Sequence, residues 1–236
     1  MRALFLQHDP GSQPGLVGAA LVERGIEIAN LPMAEDVTDG TWHGELPPAS
    51  DFDLIVPLGA IWSLYDRDQV GSWIDDELRL LRDADEQGIP VLGICFGGQA
   101  LAAAHGGEVV ASSRPEIGWS TVDSIDPELV PPGPWMQWHS DRWVSPPGAA
   151  ELAHNEVGPQ AFVLRRNLAV QFHPEVDEAT IASWIEMGGE ASEAALAEAG
   201  TTAERVLADA RSHRERAAAD VRRLVDRFLG DVAQLV

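Results

Sequence analysis

Val91-Leu92-Gly93-Ile94-Cys95-Phe96-Gly97-Gly98-Gln99 joins an apolar run to a segment, Ala100-Leu101-Ala102-Ala103-Ala104, made of strong helix formers. A buried strand turning sharply into a helix around one polar residue is a nucleophile elbow. The nucleophile of such a turn sits in a strained conformation, so the positions two residues to either side must be glycine. Gly93 and Gly97 fill both positions. Cys95 then stands at a helix N-terminus, where free N–H groups and the positive end of the dipole favour a thiolate and can also hold an oxyanion.

Outward from the elbow, Ala3 to Leu6, Ile26 to Leu31, Leu54 to Leu58 and Ile89 to Ile94 read as strands. Leu16 to Arg24, stopped at Gly25, and Trp73 to Gln87, capped by Gly88, read as the helices between them. Strands alternating with helices of this length imply right-handed crossovers, hence an α/β fold with an open, mostly parallel twisted sheet and helices on both faces. Beyond Gly107 the strand-like pieces shorten to Glu108–Ala111, Ile117–Val122, Trp135–Trp138, Ala161–Leu164 and Leu168–Phe172, which predicts antiparallel additions to the sheet. After Val176 the chain is rich in Ala, Glu and Arg, and Val206, Ala210, Val221, Leu224, Val225 and Phe228 recur at helical intervals, predicting two or three C-terminal helices.

Composition narrows the chemistry. The 236 residues, 45% hydrophobic and 23% charged, suit one large domain or one domain with an extension. A net charge of −22 argues against binding nucleic acid or an anionic membrane surface. All sixteen basic residues are arginine, so a phosphate-loop lysine, a Schiff base and a lysine general base are excluded. The single cysteine rules out an intrachain disulfide and makes the cytoplasm the default expectation, and nowhere do eighteen apolar residues run together.

A cysteine nucleophile needs a base. Leu168-Ala169-Val170-Gln171-Phe172-His173-Pro174-Glu175 puts His173 at a strand end, and Pro174 biases it to extended geometry, so that His173 and Glu175 project to one side. Glu175 can then orient the imidazole through one ring nitrogen and leave the other for Cys95, a generalised triad. The pair of motifs, Gly93 to Gln99 and Gln171 to Glu175, resembles the signature of class I (triad-type) glutamine amidotransferases, to which the glutaminase domain of GMP synthase belongs.

The resemblance runs from Met1 to about Trp184 and is closest to free-standing, GMP-synthase-like members. It implies a flavodoxin-like amidotransferase domain over residues 1–185; the tail, 186–236, matches no motif of the family and its pattern predicts a helical extension packed on the same domain. By the same likeness Cys95 is the nucleophile, His173 general base then acid, and Glu175 its orienting partner. Backbone N–H groups of Phe96 and Gly59 would form the oxyanion hole, although Pro57-Leu58-Gly59-Ala60-Ile61 departs from the family's Gly-Gly-Pro-like loop. Gln99 and the His139-Ser140-Asp141 segment match positions around the substrate glutamine.

No metal or other cofactor is expected: His139, Asp141 and His154 lack the spacing of a zinc site. The remaining histidines, His8, His43, His105 and His213, are expected at surface or ordinary polar positions. The implied activity is hydrolysis of glutamine through a cysteinyl thioester, giving glutamate, and ammonia for an acceptor on a separate synthetase chain. Two rival readings stand beside it: a stand-alone hydrolase of γ-glutamyl amides or peptides using the same triad, and a non-catalytic regulatory subunit.

Overall fold

The computed structural model describes residues 1–236. In chain order the elements are β1 (Arg2–Gln7), α1 (Gly15–Glu23), β2 (Glu27–Pro32), β3 (Leu54–Pro57), α2 (Arg67–Val70), α3 (Ile74–Glu86), β4 (Leu92–Ile94) and α4 (Phe96–Ala104). There follow β5 (Glu108–Ser120), β6 (Asp123–Ser124), β7 (Trp135–Val144), β8 (Ala150–His154), β9 (Pro159–Leu164), β10 (Asn167–Val170), α5 (Glu178–Glu198) and α6 (Ala203–Arg227).

The β2, β1 and β3 strands pair in parallel in that order. A parallel bridge from Ile55 to Val91 carries the sheet on to β4, which pairs in parallel with β10. From β10 onward the pairing turns antiparallel through β9, β8 and β6. A separate antiparallel ribbon, β5 with β7, has a register shift between Ala111 and Glu116. That irregularity joins two of the expected strands, Glu108–Ala111 and Ile117–Val122, into one.

Strand residues alternate between two faces because successive side chains point oppositely. Ala3, Phe5, Leu54, Val56, Leu92, Ile94, Leu168 and Val170 enter one core with Val17 and Leu21 of α1. Leu4, Leu6, Ile55, Val91 and Ala169 enter the other, with Leu81 of α3 and Leu101 of α4. Both faces are thus covered, which explains why these strands read as unbroken apolar runs.

The C-terminal helices begin on side-chain caps: Asp177 Oδ1 accepts from Thr180 N–H at 2.9 Å, and Thr202 Oγ1 from Arg205 N–H at 3.2 Å. Gly189, at φ 49° and ψ −126°, breaks α5 into two pieces, so the tail holds three helical segments. Through Val221, Leu224 and Val225, and Phe228 just beyond its last residue, the α6 end joins the same core as β1, β3 and α1. The helix α5 runs straight through the expected boundary at residue 185. No helix is long and apolar enough to cross a membrane.

Candidate active site

Four parallel strands end along one edge of the sheet, and each hands over to a polar or special residue there: β1 to His8 and Asp9, β3 to Gly59, β4 to Cys95, β10 to His173 a few residues on. Open α/β sheets bind ligands at this carboxyl edge. A cavity of about 520 Å3 opens here, and Cys95, Gln99, His139, Asp141 and His173 all line it.

Cys95 adopts φ 51° and ψ −108°, a conformation uncommon for a residue with a side chain. The neighbouring glycines are required by space. A Cβ on Gly97 would lie 2.0 Å from the Pro57 carbonyl oxygen, and one on Gly93 2.7 Å from that of Gly97. Gly97→Ala therefore forces β3 and α4 apart, and a stability loss of about 3 kcal/mol or more is expected in denaturant titration, the range of severe backbone and overpacking defects.

His173 sits beyond the end of β10, fixed by its N–H donating to the Met136 carbonyl at 2.8 Å. Its Nδ1 meets Glu175 Oε1 at 2.7 Å, and both side chains are buried. Burial alone would push the imidazole toward neutrality. The charges of Glu175 and Cys95, with the hydrogen bond to Glu175, outweigh it and hold the His173 pKa well above 6.5. Nε2 makes no hydrogen bond of standard geometry and is left for the sulfur side of the site. The Trp184 ring of α5 packs edge-on against the imidazole, centroids 4.9 Å apart, and its indole N–H donates to the Gly11 carbonyl at 2.8 Å.

Around the sulfur, Gln171 Nε2 approaches Cys95 Sγ at 3.6 Å, a contact that nothing in the residue pattern signals. Phe96 is the first residue of α4, so its N–H has no carbonyl one turn back within the helix. Gly59 N–H donates to no backbone carbonyl, and a Cβ on Gly59 would lie 3.0 Å from His173 Cε1. A side chain at position 59 would crowd the imidazole, which packs closely on this loop.

The remaining expected residues are present but partly occupied. Gln99 Nε2 donates to the Asp141 carbonyl and to Gln171 Oε1, each at 3.3 Å. Asp141 accepts from Ser63 Oγ at 2.5 Å and Tyr65 OH at 2.8 Å. The His139 ring nitrogens lie 3.0 Å from the Asp141 carbonyl, 3.1 Å from Gln137 Oε1 and 3.2 Å from Glu116 Oε2.

One expectation is overturned. His8 is neither a surface nor an ordinary polar position: it is wholly buried and paired with Glu77. A polar run, Gln7-His8-Asp9, at the carboxyl end of a buried strand was the available signal.

Comparison with known proteins gives the family. The family model described as glutamine amidotransferase class-I matches residues 17–185. The chain belongs to the class I glutamine amidotransferase family. Among its relatives, GMP synthase [glutamine-hydrolyzing] of Thermomicrobium roseum is 32% identical over 193 residues, 74% of this chain and 34% of that protein. One subunit of the GMP synthase [glutamine-hydrolyzing] of Sulfurisphaera tokodaii is 36% identical over 137 residues, 53% of this chain and 69% of that protein. The amidotransferase chain thus spans about a third of the GMP synthase from Thermomicrobium roseum. Of solved structures, the glutamine amido transferase from Methylobacillus flagellatus superimposes with a TM-score of 0.83 at 26% identity, over 98% of this chain and 95% of that one.

Proposed function

We propose that this amidotransferase chain hydrolyses the side-chain amide of glutamine to glutamate and ammonia. The observation that carries the reading is that buried Cys95 and His173 open on one cavity at the sheet's carboxyl edge, with buried Glu175 on the far ring nitrogen of His173. In this reading the Cys95 thiolate, paired with the His173 imidazolium, attacks the amide carbonyl, and Phe96 N–H and the Gly59 backbone receive the negative oxygen. His173 protonates the departing nitrogen and ammonia leaves a γ-glutamyl thioester. Water, deprotonated by His173, then releases glutamate. Glu175 holds the imidazole in position and favours its charged form. Gln99, His139 and Asp141 contact the rest of the substrate.

The ammonia acceptor belongs to a separate synthetase chain in this proposal, consistent with a relative that is itself only one subunit of a GMP synthase. Residues 1–185 form the catalytic unit and 186–236 a helical extension sharing its core.

A second reading, a hydrolase of γ-glutamyl amides or peptides, draws support from the size of the cavity and from Trp62, Trp138 and Met187 on its wall, beyond the triad. Steady-state ammonia release from glutamine, set beside cleavage of γ-glutamyl peptides, separates the two. Turnover of glutamine supports the first; rapid peptide cleavage with no glutamine turnover replaces it with the second.

The raised His173 pKa has a sign that can be checked. The imidazolium persists above pH 6.5, so the stability it lends is fully present below that pH and fades as pH rises through the higher folded-state value. Glu175→Gln keeps a hydrogen-bond acceptor but removes the charge that raises the pKa. The alkaline limb of the kcat/KM profile is expected to move to lower pH in this variant; an unmoved limb would mean that Glu175 does not set the imidazole's charge.

A further inference from the structure

Under the Gly59 loop lies an ionisable pair with no part in the hydrolysis just described. His8 and Glu77 are both 0% exposed. His8 Nδ1 is 3.1 Å from the Gly59 carbonyl oxygen, and Nε2 is 3.0 Å from Glu77 Oε2. A carbonyl and a carboxylate can only accept, so both contacts are hydrogen bonds when both ring nitrogens carry protons, that is, when His8 is an imidazolium facing the Glu77 carboxylate. Burial opposes that charge, and the Glu77 carboxylate outweighs it, leaving the His8 pKa above 6.5.

The ring of His8 is itself held. It stacks on Trp73, with centroids 5.3 Å apart and planes 14° apart, and packs at 4.9 Å against Phe96, the residue that follows the nucleophile. The next residue pins the far end of the same loop: Asp9 Oδ2 accepts from Ile61 N–H at 3.1 Å, while Oδ1 accepts from Gly11 and Ser12 N–H. The loop from Gly59 to Ile61 is therefore tied down by two consecutive residues at the end of β1. Simple packing needs no buried ion pair here, because apolar side chains of similar volume fill such a site at least as stably.

We propose that His8, its ring oriented by Glu77, is the positioning residue of the oxyanion loop: its Nδ1–H grips the Gly59 carbonyl and so aims the loop's N–H groups at the oxygen that becomes negative on the substrate. The proposal rests on the reading of the Gly59 backbone as an oxyanion donor. A misaimed donor weakens binding of the transition state but not of the ground-state amide, so the loss falls on kcat and not on KM.

Two variants test it. The double variant His8→Leu with Glu77→Met leaves no lone buried charge and conserves volume, so it is expected to fold, but nothing then donates to Gly59. Glu77→Gln keeps a partner for Nε2, since its amide can donate there while Nδ1–H stays on Gly59. Kinetics with glutamine and with a γ-glutamyl peptide are measured together with the rate of Cys95 alkylation by iodoacetamide, a displacement that reads the thiolate and imidazole but forms no oxyanion. The double variant is expected to lose at least about tenfold in kcat, with KM and the alkylation rate within about twofold of the unaltered chain. Glu77→Gln should lose no more than about threefold in kcat.

The proposal is overturned by any of three results. These are an unchanged kcat in the double variant, a fall in alkylation that keeps step with kcat, or a Glu77→Gln chain as slow as the double variant. If the unaltered chain cleaves neither substrate, the amide-hydrolysis reading itself falls, and this inference with it; that outcome is recognised without any variant.

Discussion

Alanine at position 95 is expected to cut glutamine hydrolysis by roughly 10⁶-fold, the scale seen when the nucleophile of a catalytic triad is removed. The chain should remain folded. Cys95 is buried at the rim of the main core, and trimming one sulfur there is a small change in packed volume, costing about 1 kcal/mol. His173→Ala should be nearly as inactive, because the leaving nitrogen then has no acid and the thiolate no counter-charge. Ammonia release and thermal unfolding, measured on the same preparations, separate a chemical loss from a structural one. Turnover in the Cys95→Ala chain within tenfold of the original would remove the thioester mechanism.

The second large effect concerns the tail. A chain ending at Thr202 lacks α6, and with it Val221, Leu224, Val225, Phe228 and Leu229, all at or below 1% exposure in the core that also holds β1, β3 and α1. Each such side chain contributes about 1.5–3 kcal/mol on burial. Five of them together come to about 7.5–15 kcal/mol, comparable with the whole net stability of a typical domain, about 5–15 kcal/mol. The truncated chain is expected to show no cooperative unfolding transition. A truncation that still melted cooperatively near the full-length temperature would mean that the helical extension only decorates the amidotransferase core.

The elbow and the parallel strands could be read from the amino-acid sequence because their causes are local. Gly93 and Gly97 flank Cys95 at a spacing that only close backbone approach demands, and the two-sided burial of β1, β3, β4 and β10 leaves runs with no polar position. The alignment of His173 with Glu175 was equally local, two residues across a proline. What escaped depends on partners distant in the chain. β8, Ala150–His154, has no apolar run of its own and becomes a strand only by pairing with β9 and β6. His8 reads as an ordinary polar residue until α3 brings Glu77, sixty-nine positions later, against it. Asp141 likewise meets Ser63 and Tyr65 across a separation of more than seventy residues, which no periodicity signals. The amphipathic spacing in the tail predicted helices, yet could not tell that α6 closes the same core as β1.

In the proposed mechanism Cys95 is acylated by its substrate in the course of hydrolysis. Acid quenching of the enzyme during turnover of glutamine, followed by mass spectrometry of the peptide that carries position 95, tests it most directly. A γ-glutamyl group on Cys95, reduced to background in the Cys95→Ala chain, is the predicted result. Glutamate formed at full rate with an unmodified cysteine, or with the adduct on another residue, would contradict it.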